Sequence, residues 1–159
     1  APRSAIAPEV MLIIGSIHVS AKDRREAIMV YDSLLNRFPE SEQAKTAAYL
    51  AAQCRYELAV KFNYNETCCR EAIAFSKAIL SRMPGHPQND QLKAWYTELV
   101  DLLIEQNYQQ AFFYDSRTRK REAAIAAYRR FLSEFSDSKY GQQVRDRLVE
   151  LEAGAPPAK

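Results

Sequence analysis

Apolar residues recur at steps of three and four through most of the chain, the period of a helix with one buried face. Three stretches align without gaps: 27–39, 72–84 and 124–136. Each opens on Ala-Ile, continues with apolar residues at helical spacing and closes on a bulky side chain. In the first, Ile28, Tyr31, Leu34, Leu35 and Phe38 form one stripe, and Pro39 ends the helix because it cannot continue the hydrogen-bond ladder. Pro84 stands at the same place in the second, and Ser136 in the third. Such a stripe cannot be buried by its own helix, so each needs a helix before it and another repeat beside it. The pattern predicts seven helices at about 8–20, 23–38, 41–61, 66–83, 88–116, 119–135 and 139–153. Asp23, Ser41 and Ser138 are the N-cap candidates. Residues 1–7 read as a flexible leader, and 154–159, with Gly154 and two prolines, as a disordered tail.

The helix ahead of the first stripe completes a repeat unit. Met11, Ile14, Gly15 and His18 fall where the tetratricopeptide consensus has Trp, Leu, Gly and Tyr, and Ala27, Tyr31 and Pro39 meet its small, aromatic and proline positions. Gly15 would let the two helices of the pair pack closely. Later units are longer than the consensus. The excess is assigned to a loop at 61–70, where Asn63, Asn65 and Thr67 break the rhythm, and to a long helix, since 91–116 lacks Gly and Pro. The expected fold is all-α: a tetratricopeptide-like right-handed superhelix of three hairpins (8–38, 41–83, 88–135), closed by a capping helix at 139–153.

Composition narrows the function. The charge is +2, from 22 basic and 20 acidic residues, which argues against a general nucleic-acid binder. The longest apolar run, Val10 to Ile14, is far short of a membrane span. Any export signal or lipid anchor would therefore belong to a segment outside this chain. Three cysteines, Cys54, Cys68 and Cys69, cannot pair fully, and with only His18 and His86 beside them they show no metal-ligand spacing. No nucleophile elbow, phosphate loop or dinucleotide fingerprint occurs. The expectation is a non-enzyme with no metal or cofactor that binds other proteins.

Candidate binding residues follow from generic repeat geometry, in which the first helices of the pairs line a groove for an extended or helical peptide. Leu12, Ser16, Val19, Leu50, Cys54 and Glu57 would face it. A second candidate is the basic cluster Arg117, Arg119, Lys120 and Arg121, read either as a solvated connector near a helix C-terminus or as a contact for an acidic partner. His18 reads as a packing residue and His86 as exposed. Phe112, Phe113 and Tyr114 are consecutive, so at least one must point away from any single neighbour.

Several stretches resemble the BamD family of outer-membrane β-barrel assembly lipoproteins. They are 70–84, from Arg70-Glu71-Ala72-Ile73 to Met83-Pro84; Gln109-Gln110-Ala111-Phe112-Phe113-Tyr114 with Glu122-Ala123-Ala124-Ile125-Ala126-Ala127-Tyr128; and Phe135-Ser136-Asp137-Ser138-Lys139-Tyr140. The last is similar to the family's Tyr-Pro-Asp-Ser-x-Tyr, with Ser136 in place of proline. The resemblance covers about 24–150. It implies a tetratricopeptide scaffold on the periplasmic face of the outer membrane, with assembly machinery or unfolded barrel proteins as partners. The family's lipid-bearing cysteine has no counterpart here. The competing expectation is a cytosolic or secretion-related adaptor of the same fold, toward which the cysteines lean, although one bridge from Cys54 to Cys68 or Cys69 is possible.

Overall fold

The computed structural model describes residues 3–61, 65–118, 120–154 and 156. Among these there are seven α-helices and no strand: α1 Arg3–Ser20, α2 Arg24–Arg37, α3 Glu42–Lys61, α4 Glu66–Arg82, α5 Asn89–Phe113, α6 Arg121–Phe135 and α7 Gly141–Glu152. The all-α, helix-hairpin class read from the periodicity is the class observed. Most boundaries fall within two residues of those expected; the start of α1 and the end of α5 do not. Helix α1 begins at Arg3, ahead of the expected start. Helix α4 starts at Glu66 as the expected 66–83 helix does, so residues 66–70 of the assigned loop are its first turn, where Asn65 Oδ1 accepts from Thr67 N at 2.8 Å, and residues 62–64 of that loop lie outside the described residues. Helix α5 stops at Phe113 and passes into a π-helical turn, Tyr114–Thr118. Helix α7 starts at Gly141, so Ser138 is not its cap; Tyr140 holds that position without a side-chain bond. Ser41 does cap α3, accepting from Ala44 N at 3.2 Å.

The chain divides into two compact units, 1–100 and 101–159, with the boundary inside α5. The first unit holds two apolar clusters. One joins Ala27, Tyr31 and Leu34 of α2 to Ala44, Ala47, Ala51 and Cys54 of α3. Small residues on α3 leave room for the tyrosine ring, and the same ring lies over Gly15 of α1. A Cβ built on Gly15 would stand 2.2 Å from Tyr31 Cε1, so no other residue fits without moving the ring. The second cluster holds Ala48, Ala52, Ile79, Leu92 and Trp95. Trp95 stacks between Tyr49 and Tyr56, with centroids at 5.3 and 5.2 Å. In the second unit, Tyr108, Ala111, Ala124, Tyr128, Phe131, Val144 and Leu151 form one core under α6 and α7.

Candidate functional site

The proposed groove residues sit on α1 and α3, but they do not form an open polar trough. Leu12, Val19 and Leu50 are half-buried against the α2–α3 core. Cys54 is only 3% exposed and belongs to that core. Burial pushes its thiol up to about 11, so it is neither a ready nucleophile nor a surface contact. Ser16 is exposed and spends its hydroxyl on Leu12 O at 3.0 Å, an i−4 back-bond along its own helix. Glu57 is held by Arg24 of α2 at 2.5 Å, both side chains mostly covered. It also lies 3.4 Å from Gln53. Replacing Glu57 would therefore break a tertiary link between α2 and α3 as well as any partner contact.

The basic cluster separates into different roles. Arg119 lies outside the described residues. Arg117, in the π turn, and Lys120 are exposed. Arg121 is used within the fold: its guanidinium donates to the Leu151 and Glu152 carbonyls at 2.5 and 2.8 Å, where α7 ends. The last carbonyls of a helix lack i+4 partners, although Leu151 O also accepts from Gly154 N at 3.1 Å, and a cation there suits the negative end of the helix dipole. Arg129 adds an ion pair to Glu152 at 2.7 Å.

Pattern reading missed Asp115. The π turn places it 1% exposed. Arg147 of α7 clasps its two carboxylate oxygens at 2.7 and 3.0 Å, and Tyr128 of α6 donates to it at 3.2 Å. This bidentate pair fastens α6, α7 and the turn together. Burial, followed by the Asp115 charge, pushes the Tyr128 hydroxyl well up. No sequence rule marks a five-residue π turn inside a helical run, so the acid reads as one more surface carboxylate. His86, expected to be exposed, is 6% exposed. Its Nε2 is 2.8 Å from the Lys45 carbonyl, and its Nδ1 accepts from Gln88 N at 3.0 Å. The ring pins the turn before α5 to α3, a tertiary use invisible in a Pro-Gly-His-Pro string. As the aromatic run required, Phe113 and Tyr114 are exposed.

Two surface features of the first unit remain. A cleft of about 800 Å³ opens between α2, the start of α3 and α4. Its walls mix Leu35, Phe75 and Ile79 with Asp32, Glu40 and Arg82. Asp32 is bound by Arg55 at 2.6 Å, and the Arg55 guanidinium lies 4.0 Å over the Phe75 ring. The other feature is a row of exposed aliphatic side chains on α1. Ile6, Val10, Ile13 and Ile17 are 57, 44, 56 and 60% exposed and share the side of α1 opposite Gly15, with Ile14 flanking them. Among the described residues no group of His, Cys, Asp and Glu could hold a metal ion, and no helix is long and apolar enough to cross a membrane.

Comparison with known proteins gives one family. The family model YfiO, described as an outer membrane lipoprotein, matches residues 4–154. No curated protein matches the chain.

Proposed function

The chain belongs to the YfiO outer membrane lipoprotein family, and from that premise we propose that it is a non-catalytic scaffold supporting assembly of outer-membrane β-barrel proteins. It works on the periplasmic face of the outer membrane by holding other proteins, either components of the assembly machinery or unfolded barrel substrates. The observation that carries the reading is the family match over residues 4–154, on a chain built of helix hairpins among its described residues.

The expected mechanism is positioning alone: rigid hairpins present a fixed surface, and the partner supplies the complement. Depleting the protein in its own cells should lower the amount of folded β-barrel protein in the outer membrane, read by heat-modifiable gel mobility. Unassembled barrel precursors should accumulate in the periplasm. Normal barrel levels after complete depletion would overturn this reading.

A further inference from the structure

The π turn between α5 and α6 brings two kinds of side chain to the surface together. Arg147 and Tyr128 draw Asp115 inward, and the residues around it in the turn face water. Phe113 is 54% and Tyr114 37% exposed, and the two rings meet edge to face at 6.2 Å. Arg117, one turn beyond Phe113, and Lys120 are exposed, and neither side chain has a partner among the described residues. The sequence between Asp115 and Glu122 contains no acid. These two cations are not needed to finish the helix. The Ser116 and Thr118 hydroxyls donate to the Phe112 and Tyr114 carbonyls at 2.9 and 2.6 Å, so neutral donors serve that end. Nor do they brace α7, a task that Arg121 performs. Two aromatic rings in water thus lie on the same connection as two uncommitted cations.

We propose that this patch is a contact for an anionic phospholipid surface, with the Phe113 and Tyr114 rings at the headgroup level and Arg117 and Lys120 on lipid phosphates. The inference rests on the scaffold reading above, which sets the protein beside a membrane, and it names the part of the chain that touches the lipid. Aromatic rings favour the interface because their apolar faces leave water while a Tyr hydroxyl stays wet. A Lys or Arg near an anionic surface adds about 1 kcal/mol, roughly fivefold in binding. A guanidinium also matches phosphate oxygens with two parallel hydrogen bonds. The patch is a short turn and holds only two rings, so the contact is shallow, reversible and sensitive to salt.

An acidic protein segment is the rival occupant. It would answer the cations and leave the rings in water, whereas a lipid interface takes both kinds of side chain at once.

The test is co-sedimentation of the full chain with phosphatidylethanolamine/phosphatidylglycerol vesicles. The bound fraction should rise with phosphatidylglycerol content and fall at high salt. Arg117→Gln/Lys120→Gln should weaken binding on the order of tenfold, and Phe113→Gln should weaken it with the charge unchanged. Lys77→Gln/Lys93→Gln removes the same charge from exposed positions of the first unit and should bind as the parent does. All these side chains are exposed, so each variant should keep the parent's helical signal and melting temperature. Equal loss in the two double variants would assign binding to net charge and overturn the patch. So would a parent chain that ignores the vesicles, or a Phe113→Gln variant that binds as the parent does. Capture of a Glu-rich peptide, abolished by Arg117→Gln/Lys120→Gln while vesicles stay unbound, would overturn it in favour of the acidic partner. The two proposals fail separately: a wrong lipid contact leaves the depletion phenotype intact, and a wrong assembly role leaves vesicle binding intact.

Discussion

Gly15 and Asp115 show how much of this fold hangs on single side chains. At Gly15 the Tyr31 ring occupies the space a Cβ would need. The ring is fully buried among α2 and α3 residues and cannot swing aside freely. Gly15→Ala should therefore destabilise the first unit by about 1–3 kcal/mol through overpacking. In urea unfolding, the combination with Tyr31→Leu should cost less than the sum of the single changes, because the clash is then gone; strict additivity would deny the contact. Asp115 fails by the opposite route. Asp115→Ala leaves Arg147 and Tyr128 without their shared acceptor, in a place water reaches poorly. A loss of about 2–4 kcal/mol is expected, softened because Arg147 is partly exposed and can turn outward. Asp115→Asn should recover part of it by keeping one acceptor oxygen for Arg147.

At the scale of elements, the ends of helices decide which features were readable in advance. The stripes of α2, α4 and α6 follow from spacing alone, and their buried members Ala27, Tyr31, Ala72, Ala124 and Tyr128 are the repeat positions. Ser41 is a legible cap because it stands one residue before a polar helical start. Ser138 has the same local signature and fails, since the chain makes a turn through Lys139 and Tyr140 before α7 begins. That turn serves a tertiary purpose no local rule contains: Tyr140 stacks on Tyr108 at 4.0 Å and gives its hydroxyl hydrogen to Glu105 of α5. The candidate binding residues divide in the same way. Spacing placed Leu12, Cys54 and Glu57 on the correct helices, but it could not see that Cys54 packs inward or that Arg24 holds Glu57. The Tyr140 bond, with help from Gln109 and Lys139, holds the Glu105 carboxyl below its ordinary value of 4.5. A depressed acid contributes stability above its unfolded pKa and loses it as pH falls through the folded one. Tyr140→Phe, which keeps the stacked ring, should therefore be less stable than the parent at pH 6. The gap should narrow as pH falls through and below the ordinary carboxylate range and Glu105 takes up its proton. A gap constant from pH 6 to pH 2 would mean that Glu105 is not the acceptor that matters.

The two units, taken as a whole molecule, make a prediction about cooperativity. Each has its own apolar core, and regions with separate cores can open with separate free energies. The cysteines report on the first unit from inside. Cys54 and Cys69 are buried, and burial lifts both thiols to about 11; Cys69 also donates to the Leu99 carbonyl. Cys68 is only half-buried. At pH 8 a thiol-disulfide reagent should modify Cys68 in the folded protein, while Cys54 and Cys69 react only when the first unit opens, because the thiolate is the reacting species. Amide exchange in α6 and α7 reports on the second unit. Asp115→Ala should speed that exchange and leave Cys54 and Cys69 labelling at the parent rate, whereas Gly15→Ala should do the reverse. If either substitution accelerated both readouts equally, the units would be a geometric division of one cooperative body. Independent responses would instead mean that a partner could order or loosen the α1 end of the scaffold without disturbing the Asp115–Arg147 clasp.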